Sequence, residues 1–531
     1  MEDLSNELPT PYHFVVLHII PRILTNLDRD PDSPTYGCFD RNYWHYKVHD
    51  YSSGLLQQSM LSLCLVYSYD FKDNIYYNNR QILNYTIAAI DFCTKIQHSD
   101  GSFDEYWAGE RSIPSTAFTL YAICETCDRL NYLPENVVVT IKKAVGFLRK
   151  HPEKEALNQE VASIAAISYA SKLLGDDEAS KLADSKFETL LGEQKKEGWF
   201  SEYGGLDVGY LTVNLDYMIR YYEITHNERA LGSAKKMLNI IKYFVHPDGS
   251  FGGEYCTRNT EYFVPYGMEY LRDHCDIAKK IICKLMQYIN RDSSYLNLSL
   301  DERYILHYVN PSYVKSLLIY KDDEVCKEKL PYENDFEKHL EEAHIYVKSN
   351  KCYYFICNIS KGGVFKVFDK TNLQFSTDCG YRLSFDGHLY VNEWPDNNEF
   401  VIESNYLQIK SNFLRTKMIK QSSVKLLALR VLSKLLGYKM IPITKKILIF
   451  NKGSSDMILT RRLNLNESTI VIIDSFDVGN RIVQARSSSG LSVRHTASSR
   501  FFQISSLNNM VKDDLYHVNG KETIERNYTF S

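Results

Sequence analysis

From the N-terminal region to about residue 325, apolar residues recur at three- and four-residue spacing, the period of amphipathic helices. Segments near 11–27, 53–70, 80–98, 113–131, 136–150, 157–174, 178–195, 208–225, 228–245, 261–273, 276–290 and 301–321 carry it, and Leu56, Met60, Leu63 and Val66 form one such stripe. Short polar links join the segments, which favours antiparallel neighbours. From about 343 the period drops to two, in 344–347, 352–358 and 364–368, with Gly362-Gly363 and Asp386-Gly387 as turns. The pattern predicts a helical domain over 1–325 and an antiparallel β-sandwich or large twisted sheet over 340–531. The boundary falls in the charged stretch 322–335.

The helical half repeats itself. Asp100-Gly101-Ser102-Phe103-Asp104-Glu105-Tyr106 follows one helix, Glu197-Gly198-Trp199-Phe200-Ser201-Glu202-Tyr203 another, and Asp248-Gly249-Ser250-Phe251-Gly252-Gly253-Glu254-Tyr255 a third. The second and third copies lie about fifty residues apart, and the first lies about two such units earlier. A middle copy has decayed near His151-Pro152-Glu153, and Gly37-Cys38-Phe39-Asp40 reads as a degenerate first copy. A unit of roughly forty to fifty residues is one helical hairpin. Stacked hairpins that curve round close into an α/α toroid, with the repeated loops on one face. Gly ends each helix at positive φ, Phe tucks into the barrel, and Glu and Tyr are left at the mouth.

One stretch interrupts the strands. Between Glu403 and Asp456 there is no acidic residue and there are about eleven basic ones, marking a basic amphipathic insertion near 410–452. Val424 to Tyr438 has helical spacing, with Leu426, Leu427, Leu429, Val431, Leu435 and Leu436 interleaved with Lys425, Arg430 and Lys434. Two readings follow: a helix covering one face of the sheet, or a peripheral contact with an anionic membrane or polymer.

Composition narrows the function classes. A net charge of −4 over 531 residues argues against a generic nucleic-acid binder. The 40 tyrosines offer flat rings with polar tips, suited to carbohydrate and to half-buried packing alike. The start, MEDLSNELPTPYHF, lacks a basic n-region and a long apolar h-region, and no run reaches about 18 uncharged apolar residues. The expectation is a cytoplasmic protein, peripheral at the inner membrane face if the basic helix binds lipid. Its 12 cysteines have no regular spacing and read as reduced thiols. The pair Cys124 and Cys127 lacks two further ligands, so no metal or cofactor is predicted. Phosphate-loop, His-Glu-x-x-His and Gly-x-Ser-x-Gly motifs are missing, as are the Asp-rich motifs of terpene cyclases.

Helical toroid first and β-domain second resembles the heparinase II/III-like polysaccharide lyases. The chain also resembles toroid proteins encoded with bacterial surface-polysaccharide genes, through Asp40-Arg41-Asn42-Tyr43-Trp44-His45-Tyr46-Lys47, the loop 101–112, Tyr203-Gly204-Gly205-Leu206-Asp207 and Tyr255-Cys256-Thr257-Arg258-Asn259-Thr260. The resemblance implies a lyase acting by β-elimination on an acidic, uronate-containing polysaccharide or oligosaccharide. A glycosidase or uronosyl epimerase on the same scaffold, and a non-catalytic glycan-binding or assembly protein, are the alternatives.

Elimination needs a group to neutralise the uronate carboxylate, a base for the α-proton and an acid for the leaving oxygen. Arg258-Asn259-x-x-Tyr262 supplies such types. With a helix starting near Asn259, Asn259 and Tyr262 share one face, Tyr262 serving as base or acid and Arg258 and Asn259 as carboxylate binders. Asp207-x-x-Tyr210-x-x-x-Asn214 has the same logic, Tyr210 and Asn214 pointing into the toroid. His45 is a third proton-transfer candidate. Trp44 and Tyr46 suit stacking on sugar rings, Arg41 and Lys47 an anionic sugar, and Glu105, Arg111, Tyr203, Asp207 and Glu254 complete the candidate binding face. The Glu of each repeat also reads as scaffold, and Asn259 and Asp207 as helix caps.

Overall fold

The structure, a computed structural model, describes residues 12–291, 301–321, 328–416, 420, 422–445, 453–487 and 514–531. Part of the expected boundary, 322–327, and residues 417–419, 421 and 446–452 of the expected basic insertion lie outside the described residues, while 410–416 continue a strand.

The helices are α1 (His13–Asn26), α2 (Ser59–Ser68), α3 (Arg80–Ile96), α4 (Ile113–Leu130), α5 (Glu135–Lys150), α6 (Leu157–Leu174), α7 (Asp177–Glu193), α8 (Val208–Thr225), α9 (Glu228–Ile241), α10 (Asp276–Arg291) and α11 (Asn310–Ile319), with shorter turns between them. They form an α/α toroid. α2, α4, α6, α8, the short helix Tyr266–Tyr270 and α11 follow one another round an inner ring, and α11 closes back on α2. α3, α5, α7, α9 and α10 pair with them on the outside. Sequence explains the division. In α6 every residue from Leu157 to Ala170 is buried, as its all-round run of small and apolar residues requires, whereas α9 buries one stripe and keeps Glu228, Arg229 and Lys236 in water.

The repeated loops are joints of this ring. Gly37, Gly101 and Gly198 have φ of 93°, 95° and 104°, and a Cβ would lie 2.2 Å from the Ala88 carbonyl oxygen, 2.0 Å from that of Lys143 and 2.3 Å from that of Lys236. Glycine is thus required twice over, for the left-handed backbone and for the close approach of an outer helix. Gly37 has the geometry of the clear copies. Phe39, Phe103, Phe200 and Phe251 plug the core, each worth about 1.5–3 kcal/mol of apolar burial.

Two elements depart from expectation. The helix read over 261–273 starts only at Tyr266 and runs on through a 3-10 turn, Leu271–Asp273, because Pro265 has no N–H to give and holds Val264 out of the helical region. The helix read over 301–321 is interrupted at His307, whose backbone (φ −109°, ψ −136°) is not helical and kinks the chain between Glu302–Tyr304 and α11.

The C-terminal half is antiparallel β. β1 (Phe336–Leu340), β2 (Ile345–Ser349), β3 (Tyr353–Asn358), β4 (Val364–Asp369) and β5 (Phe375–Asp378) make a five-stranded sheet in sequence order. β6 (Tyr381–Phe385), β7 (His388–Val391), β8 (Asn398–Glu403), β9 (Tyr406–Thr416), β10 (Gly453–Leu465), β11 (Thr469–Ser487) and β12 (Leu515–Thr529) make a second sheet. Asp386 and Gly387, both at positive φ, form the two-residue turn between β6 and β7. The first sheet is buried on both faces. Ile345, Val347, Tyr354, Ile356 and Phe368 join the toroid core, while Tyr346, Phe355, Phe365 and Val367 meet Leu407, Ile409, Leu463 and Ile472 of the second sheet. The two-residue period of the strands thus divides one sheet between two cores.

The basic insertion folds as α12 (Ser423–Leu436) and α13 (Met440–Lys445). It does not cover the sheet. It crosses to the toroid, where Ser433 accepts a 2.7 Å hydrogen bond from Trp107 Nε1 and Arg430 pairs with Asp50. The polar partners are on the toroid loops, and they draw the helix there.

Candidate active site

A cavity of about 440 Å³ opens at the toroid mouth. Its walls come from the loop 105–114, the start of α6, the second repeated loop with α8, and the segment 303–308. Leu426 and Leu429 of α12 and Ile441 and Thr444 of α13 form a roof.

Arg258 is the charged centre. Its guanidinium lies over the Tyr210 ring, 3.7 Å from the centroid, and near that of Tyr203 at 5.3 Å. Nη1 donates to Glu202 Oε1 at 2.6 Å, and Asn158 Nδ2 donates to the other oxygen of Glu202 at 2.5 Å. Burial pushes the Glu202 carboxyl up to about 7, against the pull of Arg258 and Asn158. Asp207 fixes the pair: one oxygen caps α8 through Tyr210 N at 3.1 Å and the other accepts from Arg258 N at 2.8 Å.

Beside it the hydroxyls of Tyr210, Tyr262, Tyr304 and Tyr308 form one hydrogen-bonded cluster, Tyr262 Oη lying 2.8 Å from Tyr308 Oη. Burial pushes Tyr210, Tyr262 and Tyr304 well above the ordinary phenol range; Arg258 pulls Tyr210 partly back. These are proton donors at neutral pH. His307, at the kink between the two helices, lines the same cavity, and its Nδ1 has no hydrogen-bond partner. Burial, and then Arg303, hold its imidazolium form well below the usual histidine range, so the ring is neutral near pH 7.

The cavity acids are already engaged. Glu110 accepts the backbone N–H groups of Glu105 and Tyr106, Glu153 those of Lys154, Glu155 and Ala156, and Glu105 bonds Ser112 at 2.9 Å and Arg303 at 2.7 Å. Burial, with Glu105 next, raises the Glu110 carboxyl well above the usual range. Among the described residues no group of three or more His, Cys, Asp or Glu side chains has metal-ligand geometry. Cys38, Cys64, Cys93, Cys124, Cys127, Cys256, Cys357 and Cys379 are buried free thiols.

Of the residues singled out in the sequence, Arg258, Tyr210, Tyr203 and Glu105 line the cavity. Tyr262 stands behind them, fully buried. Asn259 is not on a helix face with Tyr262: its φ is 57°, no helix begins there, and its side chain accepts from Lys361 Nζ of the β-half at 2.6 Å. Asn214 is buried in α8 and donates to the Tyr210 carbonyl at 3.2 Å, outside the cavity lining. Arg111 pairs with Asp100 at 2.7 Å. Tyr255, read as a mouth residue, is turned into the core, where its hydroxyl meets His246 Nε2 at 2.8 Å, and Glu254 lies outside the lining. Arg41 and Tyr46 line a neighbouring cavity of about 390 Å³ that shares Glu105 and Arg303 with the first. Trp44 is tied to the Asn26 carbonyl at 2.8 Å, and His45 and Lys47 are exposed outside both linings.

Asn158, Arg303, Tyr304, His307 and Tyr308 were not foreseen. For the last four the signal was present: 303/307 and 304/308 are two i, i+4 pairs of basic and aromatic residues on a segment read only as a helix.

The whole architecture has counterparts among solved structures. The chondroitin AC lyase of Streptomyces coelicolor A3, in complex with chondroitin sulphate, superposes with a TM-score of 0.58 at 8% identity, over 100% of this chain and 80% of that one. The chain has the α/α-toroid fold of polysaccharide lyases. A Paenibacillus xanthan lyase matches with a TM-score of 0.54 at 10% identity, over 92% of this chain and 47% of that one. A heparan sulfate lyase mutant from Pedobacter heparinus gives a TM-score of 0.41 at 11% identity, over 92% of this chain and 72% of that one. No family model matches the sequence, and no curated protein matches it.

Proposed function

We propose that the chain is a glycan-active enzyme that cleaves a uronate-containing polysaccharide by β-elimination. The observation that carries this is one cavity holding a buried cation, Arg258, a phenol stacked on it, Tyr210, and a neutral imidazole with an unpartnered nitrogen, His307. These are the three functions elimination requires. Arg258, with Asn158 beside it, neutralises the uronate carboxylate and makes the C5 proton acidic. His307 takes that proton. The electron pair forms the C4–C5 double bond, the C4–O bond breaks, and Tyr210 gives its proton to the departing glycosidic oxygen. Tyr262 and Tyr308 stand behind Tyr210 as a relay that returns the proton. A hydrolase pair is less well supported, because Glu105, Glu110 and Glu153 are held by the scaffold.

The test is a screen of acidic polysaccharides read in parallel by ultraviolet absorbance of the unsaturated uronate end and by new reducing ends. Absorbance rising with reducing ends is expected. Reducing ends without absorbance would make the protein a hydrolase, and retention on a glycan affinity gel with neither signal would make it a binding protein.

A further inference from the structure

The roof over the cavity has two opposed faces. At about 100° per residue, Leu426, Leu429 and Ser433 of α12 fall on one side, toward the cavity and Trp107. Val424, Leu427, Val431 and Leu435 fall on the other. They are 77, 65, 51 and 75% exposed, a continuous stripe of large apolar side chains turned away from the protein. A soluble surface normally scatters such residues. Here they align along one helix, and Ile443 of α13 is exposed beside them.

Charge indicates what covers the stripe. Lys425 flanks it on one side and Lys434 on the other, both exposed, with Lys420 and Lys439 at the ends. No acidic residue occurs between Glu403 and Asp456, although the chain as a whole carries a net −4. A stripe of Leu and Val bordered by lysines and cleared of acids fits the boundary between acyl chains and anionic headgroups. A protein partner would need neither the lysines on both borders nor the excluded acids. Among the described residues no helix is long and apolar enough to cross a membrane, so the contact is one of lying on the surface.

We propose that α12 and α13 dock the protein on an anionic lipid surface, apolar stripe inward, and hold the toroid mouth directly against it. The roof helix then joins two sites: its inner face closes the cavity, and its outer face meets the bilayer. A glycan presented at the lipid surface reaches Arg258 past this same helix.

Vesicle flotation tests this without any activity assay, so failure here and failure of the elimination reading are separate results. The full chain should float with phosphatidylcholine–phosphatidylserine vesicles at low salt, weakly at high salt, and not with phosphatidylcholine alone. The triple variant Leu427→Glu, Val431→Glu, Leu435→Glu changes only exposed positions and should lose binding by about tenfold or more. Lys425→Glu with Lys434→Glu should weaken it and remove its salt dependence. Absence of flotation at low salt overturns the proposal. So does a wild-type dimer in sedimentation that the triple variant abolishes, which would make a second copy the occupant. Salt-sensitive binding to an acidic glycan gel that survives the triple variant, with no flotation, would overturn it in favour of a polymer.

Discussion

The guanidinium carbon of Arg258 lies over the ring of Tyr210, 3.7 Å from its centroid, while Nη1 donates to Glu202 at 2.6 Å. The stack fixes both partners. A planar cation over a π-face is held in orientation, and the phenol is left with its hydroxyl in the tyrosine cluster. Asp207 ties the backbone of each to the other.

Tyr210→Phe should therefore lower kcat by about 10²–10⁴-fold with little change in KM, because the ring and its stacking remain while the transferable proton goes. Steady-state kinetics on the polysaccharide found in the screen is the measurement. His307→Gln should lose a similar factor in kcat. Tyr262→Phe should stay within about tenfold of wild type, since Tyr262 lies behind the cavity and bonds Tyr308. A larger loss in Tyr262→Phe than in Tyr210→Phe would reverse the assignment of the two tyrosines.

Glu202 gives the site a pH dependence of definite sign. Burial raises its carboxyl to about 7 from an ordinary value of 4.5. Below pH 7 it is protonated and leaves the charge of Arg258 for a substrate carboxylate; above, it is ionised and competes. KM should rise through pH 7, and Glu202→Gln should flatten that limb. The same shift acts on stability. A folded-state value above the unfolded one means that the native chain binds the extra proton, so this contribution is present below pH 4.5 and is lost as pH rises to about 7. Its size is about 3 kcal/mol. Urea unfolding of wild type and Glu202→Gln across this interval reads it directly.

The toroid was legible in the sequence because its joints repeat. Gly-x-Phe must recur wherever an outer helix presses on a loop, so Gly101, Gly198 and Gly249 announced the ring, and even the weak copy at Gly37 has the same backbone. The strands were legible wherever the alternation was strict. The site was half legible. Arg258 and Tyr210 stood beside the repeats and were noticed, whereas His307 and Tyr308 owe their position to ring closure by α11, a contact between chain segments about 250 residues apart that no local pattern reports. Asn259 misled because a favourable capping residue was followed by a proline that forbids the helix it would cap. The destination of α12 was equally hidden, since its polar partners Trp107 and Asp50 belong to the other half of the chain.

The ring also contains a buried ion network that has no access to the cavity. Lys315 of α11 reaches Glu125 of α4 at 3.1 Å, and Glu125 also holds Arg129 at 2.6 Å. Burial opposes ionisation of Glu125, but Lys315, Arg129 and Arg220 outweigh it and hold the carboxyl well below the usual range. Lys315→Met removes one buried charge and leaves the others facing an altered balance. The expected cost is about 3–5 kcal/mol, seen as a lower urea midpoint with an unchanged slope. Lys315→Met with Glu125→Gln should recover part of it, because the two charges leave together.

A comparison of glycines separates joint packing from simple helix capping. Gly198 has φ of 104°, and a Cβ there would lie 2.3 Å from the Lys236 carbonyl oxygen, whereas Gly175 caps α6 at φ of 63° with open space around it. Gly175→Ala should cost only about 1 kcal/mol, the price of a left-handed backbone for an L-residue. Gly198→Ala adds a backbone clash that can be relieved only by moving α9 away from the loop that carries Glu202 and Tyr203. It should lose more than about 3 kcal/mol and, in whatever fraction remains folded, raise KM as well, because the loop displaced is the one that orients Arg258. Thermal unfolding and kinetics on the two variants give both readings. A Gly198→Ala protein as stable as Gly175→Ala would mean that the repeated glycine serves only to cap its helix, and that the ring does not depend on the close approach seen at Gly37, Gly101 and Gly198.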